Sequence, residues 1–168
     1  KQQAHRNRLA DIAVFVCIII FGKAFDNLNL RLCKAAREAP VTEIASGSCG
    51  EHAAWTLTSD GVLSITGSGA MSDNDPNHAP WDLYKMQVKQ VVIGKDITYI
   101  GRFNFFWCRN LERVTFEEGT KLERIGWGAF GYSSLPEITI PDTVTRLDGH
   151  AFYFCENLTK VTISESSG

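Results

Sequence analysis

Asp73, Asp75 and Asn77 alternate as the first ligands of a calcium loop do, because a hard cation collects oxygen donors from every second residue. The spacing fails where such a loop is tightest. The sixth position holds His78 in place of glycine, and the twelfth holds Tyr84 in place of a bidentate glutamate. An ordinary polar loop accounts for the three residues. His5, His52, His78 and His150 stand in unrelated contexts, with no cysteine or carboxylate at metal-ligand spacing. There is no G-x-S-x-G elbow for a nucleophilic serine and no phosphate-cradling glycine loop followed by lysine. The sequence Asn157-Leu158-Thr159 fits the glycosylation acceptor pattern, but Asn157 precedes a leucine as Asn110 does, and loop structure explains both. No catalytic residue, metal or cofactor is expected. What does repeat is aromatic: Trp107, Tyr132 and Phe154 fall at regular intervals, each two residues after a phenylalanine. Their period predicts a ladder along one edge of the fold, and contiguous exposed aromatics mark interaction surfaces. Packing onto neighbouring elements as an additional core column would explain the same period.

The elements that would hold such a ladder also repeat. Val91-Val92-Ile93, Val114-Thr115-Phe116, Ile138-Thr139-Ile140 and Val161-Thr162-Ile163 begin 23, 24 and 23 residues apart. One strand per period in the twenties marks a leucine-rich-repeat solenoid, an α/β repeat fold with a short parallel sheet. Each strand leads to an aliphatic residue (Ile100, Ile125, Leu147), a phenylalanine (Phe105, Phe130, Phe152), a small residue (Cys108, Ser133, Cys155) and a leucine (Leu111, Leu135, Leu158). One coil cannot hide these residues alone, so they are expected to stack in columns against their equivalents one coil away. Each buried Phe or Leu is worth roughly 1.5–3 kcal/mol. The strand centres Val92, Thr115, Thr139 and Thr162 should point to solvent, since side chains alternate and threonine suits a wetted sheet face. The face of Thr115, Thr139 and Thr162, flanked by Arg113, Glu137 and Lys160, is a second candidate binding surface of mixed charge.

The stretch Ile138-Thr139-Ile140-Pro141-Asp142-Thr143-Val144, followed by Ala151-Phe152 and Cys155-Glu156-Asn157-Leu158-Thr159-Lys160-Val161-Thr162-Ile163, resembles the BspA-like leucine-rich repeat family, as does Gly128-Ala129-Phe130. Cys49-Gly50, Trp55-Thr56-Leu57, Asp60-Gly61-Val62-Leu63-Ser64-Ile65, Gly67-Ser68-Gly69-Ala70-Met71 and Ala79-Pro80-Trp81 resemble the region that often precedes those repeats. The resemblance covers about residues 47–164. It implies a bacterial or parasite protein, secreted or at the cell surface, whose repeats mediate adhesion or protein binding, and it brings no catalytic motif. The family usually has a small or polar residue where Trp107, Tyr132 and Phe154 stand. A host matrix protein or another surface protein is the expected partner. A targeting or spacer region beside an enzyme domain outside this chain is the alternative.

Residues 1–40 carry seven Lys/Arg against three Asp/Glu, and residues 41–168 ten against sixteen. An acidic repeat region argues against nucleic acid, whose phosphates call for basic patches. Lys1, Arg6 and Arg8 precede an apolar run from Ile12 to Phe21, and Gly22-Lys23-Ala24 offers small residues for cleavage, so residues 1–24 read as a signal peptide. The run is too short to span a bilayer, which takes about 20 residues. A helix continuing through Leu28, Leu30 and Leu32 is the other reading. Residues 25–48 are taken as a linker, 49–90 as a hairpin cap and short helix, and 91–164 as about three repeats of a longer array. Asp60-Gly61 between two apolar runs signals the hairpin. Pro80-Trp81, with Leu83, Tyr84, Met86 and Val88 behind it, suggests the helix. Cys108 and Cys155 sit two coils apart, beyond the roughly 7 Å a disulfide allows, and should stay reduced and buried. A Cys33–Cys49 pair is left open.

Overall fold

Asp60 and Gly61 reverse the chain between β2 (Ala53–Thr58) and β3 (Val62–Gly67), which pair antiparallel with Trp55 opposite Ile65 and Leu57 opposite Leu63. The Thr58 hydroxyl donates to the Asp60 carboxylate at 2.6 Å and so braces the turn. The architecture is that of a computed structural model, which describes residues 40–164. The chain divides into two units, residues 1–40 and 41–168. The signal-peptide reading of residues 1–24 and Cys33 lie outside the described residues.

Beyond the hairpin, each coil contributes one strand to each of two sides of the stack. On the first side, β5 (Gln90–Ile93) and β7 (Arg113–Phe116) extend the hairpin's sheet from β3, and β9 (Glu137–Ile140) and β11 (Lys160–Ile163) follow. The second sheet holds β4 (Gly69–Ala70), β6 (Ile97–Ile100), β8 (Arg124–Ile125) and β10 (Arg146–Leu147), side by side in that order. All these coil-to-coil pairings are parallel. In register, Leu63 meets Val91 and Val91 meets Val114, while Ile65 meets Ile93 and Ile93 meets Phe116. β9 and β11 form a separate pair, Ile138 against Val161 and Ile140 against Ile163. β3 is thus both the second strand of the hairpin and the first parallel strand of the stack. Residues 43–48, read from sequence as part of a linker, form β1 (Glu43–Ser48), which pairs antiparallel with β2 at the sheet's edge.

Stacking buries the expected columns except in the last repeat, where Leu147 is exposed and Phe152, Cys155 and Leu158 are half-buried. Ile100, Ile125, Phe105, Phe130, Cys108, Leu111 and Leu135 are all closed to solvent. Phe105 and Phe130 stack at 5.1 Å, and Phe130 and Phe152 at 5.5 Å, so the phenylalanines form a continuous column. Trp81 extends it by one coil, stacking on Phe105 at 5.4 Å and donating its indole N–H to the Asn104 carbonyl at 2.9 Å. No described coil lies against the far side of the last one, and Leu147, Val161 and Ile163 are exposed.

The α/β expectation gives way to a structure made almost wholly of strands and turns. Among the described residues the helix anticipated after Pro80 is one 3₁₀ turn, Asp82–Tyr84. The reason lies in where the backbone N–H groups go. Those of Phe103, Phe105 and Trp107 donate to the carbonyls of Trp127, Ala129 and Gly131 in the next coil, at 3.2, 2.7 and 2.9 Å. Donors spent along the stack cannot bond back within their own turn, and an α-helix needs them there.

Candidate functional site

The turns that follow the second sheet carry the core phenylalanine inward and leave its neighbours two residues away at left-handed backbone angles. Phe103 and Trp107 flank Phe105 at φ of 55° and 63°. Gly128 and Tyr132 flank Phe130 at 61° and 57°, and His150 and Phe154 flank Phe152 at 63° and 50°. Such angles favour glycine and are uncommon for bulky side chains. The same inter-coil bonding fixes the ladder's register. The Trp107 N–H donates to Gly131, just before Tyr132, and the Tyr132 N–H to Tyr153, just before Phe154, at 2.9 and 2.7 Å.

The three ladder residues are therefore brought together. Trp107 and Tyr132 lie 5.7 Å apart between ring centroids, and Tyr132 and Phe154 lie 5.2 Å apart with their planes within 3°. Trp107 is 40% and Phe154 54% exposed, with Tyr132 half-buried between them. The column both packs against itself and faces solvent. Burial and the neighbouring Tyr153 hydroxyl push the Tyr132 phenol above its ordinary pKa.

The ladder is one rim of a larger aromatic face. Phe106 meets Tyr132 edge-on at 5.4 Å, and Tyr153 meets Tyr132 at 5.5 Å and Phe154 at 4.5 Å. On the other side Phe103 contacts Phe106 at 5.1 Å and Trp127 at 5.0 Å, and His150 links Trp127 to Tyr153, at 5.1 Å from each. Arg102, Phe103 and Trp127 line a shallow dent of about 420 Å³. Two glycines make this face possible by close approach. A Cβ at Gly128 would stand 2.9 Å from the Phe103 ring, and one at Gly131 would stand 2.9 Å from the Phe106 ring. Phe103, Phe106, Trp127, His150 and Tyr153 were missed from sequence because their columns are interrupted by glycine where the ladder column is aromatic throughout.

The threonine surface lies elsewhere, on the outer side of β7, β9 and β11. Thr139 and Thr162 are exposed and in register, while Thr115 is half-buried with its hydroxyl donating to the Val91 carbonyl at 3.4 Å. Glu137 stands opposite Lys160 across β9 and β11, so charges on this surface answer one another. Asp73 is committed within the fold: one of its carboxylate oxygens accepts the Tyr99 hydroxyl at 2.7 Å and the Arg102 backbone N–H at 2.8 Å. Burial, then this bond to Asp73, raises the Tyr99 phenol to about 12. Asn77 likewise accepts the Lys85 ammonium at 2.6 Å. Among the described residues no group of His, Cys, Asp and Glu is arranged to hold a metal. Cys49, Cys108 and Cys155 are free thiols, and burial pushes Cys49 and Cys108 up to about 12, far from a reactive thiolate.

The family described as the BspA type leucine rich repeat region (6 copies) matches residues 83–167, just over half of the sequence. The chain belongs to that family. Several solved structures are similar to the chain over part of its length. A leucine-rich repeat protein from Eubacterium ventriosum is 26% identical with a TM-score of 0.45, over 72% of this chain and 44% of that one. The pneumococcal vaccine antigen PcpA is 16% identical with a TM-score of 0.47, over 73% and 39%. A leucine rich cell surface protein from Faecalibacterium prausnitzii is 20% identical with a TM-score of 0.39, over 76% and 44%. The chain thus spans less than half the length of each of these three. No curated protein matches the sequence. No helix among the described residues is long and apolar enough to cross a membrane.

Proposed function

We propose that this BspA-type repeat is a non-catalytic binding module of a secreted or surface-displayed protein, acting as a solenoid whose aromatic turn face recognises a protein partner. The observation that carries the reading is the placement of Trp107, Tyr132 and Phe154. Large aromatic side chains occupy left-handed turn positions in three successive coils, Trp107 and Phe154 exposed and Tyr132 half-buried between them. Each such position costs of order 1 kcal/mol for a residue other than glycine, and strained positions of this kind cluster at functional sites. Aromatic residues are also the side chains that dominate binding energy at interfaces. Location outside the cell rests on the family and on the basic, then apolar, sequence of residues 1–24. The threonine face is the lesser candidate, since Glu137 and Lys160 stand in register across it and give it no single sign of charge.

The test is a binding measurement on the 168-residue chain against immobilised extracellular-matrix proteins and surface proteins of neighbouring cells. A saturable interaction weakened by more than about 1 kcal/mol in a Trp107→Ala/Tyr132→Ala variant of unchanged fold supports the reading. A partner held equally well by that variant would overturn it.

A further inference from the structure

We infer that the aromatic face takes a short, extended, acidic peptide segment, with one of its aromatic side chains in the dent at Arg102, Phe103 and Trp127 and its carboxylates against Arg102 and Arg109. The inference rests on the binding reading above and names the chemistry of the partner.

Ring orientation is the first support. Tyr132 and Phe154 lie with planes 3° apart, so each covers a face of the other and presents its rim outward. The rim of an aromatic ring is the positive part of its quadrupole and prefers electron-rich groups, carboxylates and carbonyls among them.

Charge is the second. The described repeat region is acidic overall, yet this face carries two arginines that no carboxylate holds among the described residues. The Arg109 guanidinium carbon lies 4.7 Å from the Trp107 ring centre, and that of Arg102 lies 6.0 Å from the centre of Phe103. Arg124 and Arg146 share Asp148, Lys121 holds Asp96 and Lys85 holds Asp82, while Lys89, Lys95, Arg113 and Lys160 lie on or beside the strands of the other surface. The face's own acidic neighbours are Asp73, bonded to Tyr99, and Glu156, which follows Phe154 by two residues and whose charge reaches Tyr132. Guanidinium groups spread against rings and left without a counter-ion complement carboxylates on a partner.

Size is the third. The ladder has two rung spacings, 5.7 and 5.2 Å, which match about three residues of extended chain at roughly 3.3 Å each. That suits a peptide segment better than a globular surface, for which a stable interface needs about 800 Å² per partner.

The experiment is fluorescence anisotropy with the full chain and labelled eight-residue peptides that alternate glutamate with tyrosine, lysine with tyrosine, or glutamate with serine, alongside a labelled heparin fragment. The glutamate–tyrosine peptide is expected to bind at least 10-fold more tightly than the other two peptides, and to weaken as salt rises. Arg109→Glu should weaken it at least 10-fold with thermal unfolding unchanged, and Trp127→Ala should weaken it at least 10-fold in a chain that remains folded. Equal binding of the lysine–tyrosine or glutamate–serine peptide, or preference for heparin, overturns the inference. If no peptide shows the acidic preference while the matrix-protein interaction is still lost in the Trp107→Ala/Tyr132→Ala variant, the inference falls and the binding reading stands. If that variant keeps the interaction, the binding reading itself falls, and the acidic-peptide inference that rests on it falls with it.

Discussion

The Phe106 ring of one coil sits over Gly131 of the next, where a Cβ would come within 2.9 Å of one ring carbon and 3.0 Å of another. Glycine at 131 is therefore a steric requirement of the aromatic face. Gly131→Ala should destabilise the fold by about 1–2 kcal/mol, as overpacking of a tight contact does. Gly149→Ala is the matched control: its nearest neighbour would be Trp127 at 3.8 Å, an ordinary contact, and its effect should stay within about 0.5 kcal/mol. Urea unfolding of the two variants checks the pair, and equal costs would show that the Phe106 ring simply swings aside.

That relationship also explains what could be read from sequence. The strand period, the Phe105, Phe130, Phe152 column and the Asp60-Gly61 hairpin were legible because each is set by local pattern or by identical residues at identical spacing. Trp81 was read as the start of a helix because its coil lacks the phenylalanine spacing, and only the stack on Phe105 shows it as a rung of the same column. The wider face was hidden because position 131 holds glycine between Phe106 and Tyr153. The break in the aromatic column is what lets the preceding ring approach. The helical expectation failed because inter-coil hydrogen bonding is invisible in residue type. β1 was missed because its sequence, Glu43 to Ser48, has only Ile44 and Ala45 as apolar residues and gains its place from pairing with β2.

Trp107 stands at φ 63°, and this fixes the sign of a second comparison. In ordinary strands or helices glycine is less stable than alanine, because it gives up more backbone freedom. At a left-handed position the alanine Cβ reverses that order. Trp107→Gly should accordingly be more stable than Trp107→Ala by about 1 kcal/mol, measured by thermal or urea unfolding, although both lose the ring. The usual order, alanine above glycine, would be incompatible with a left-handed turn there.

Phe130 and Phe154 belong to adjacent columns with different fates, one closed to solvent and the other 54% exposed. Phe130→Ala should cost about 3–5 kcal/mol, the range for emptying a buried aromatic site. Phe154→Ala should cost distinctly less, about 1 kcal/mol, since its ring gives up one stacked neighbour and partial burial. If binding runs through the ladder, Phe154→Ala weakens the partner interaction while Phe130→Ala acts through unfolding. Chemical denaturation beside a binding titration separates the two effects.

Asp148 supplies the pH dependence. Its carboxylate takes a two-pronged bond from Arg124 and a second bond from Arg146 at 2.7 Å, with Arg124 itself resting 4.9 Å from the Tyr99 ring centre. The Arg124 hydrogen bond, reinforced by Arg146, holds the carboxyl below its ordinary value against the opposing effect of burial. A depressed folded-state pKa means that the unfolded chain binds the proton more readily. The stabilisation is then complete above the unfolded value of about 3.9 and drains away as pH falls through the folded value. Asp148→Asn should lower the urea midpoint at pH 7 relative to the parent chain, with the two curves converging as the pH drops to about 3. A gap that stays constant from pH 7 to pH 3 would mean that Asp148 acts through its shape and hydrogen bonds alone, with its charge contributing nothing.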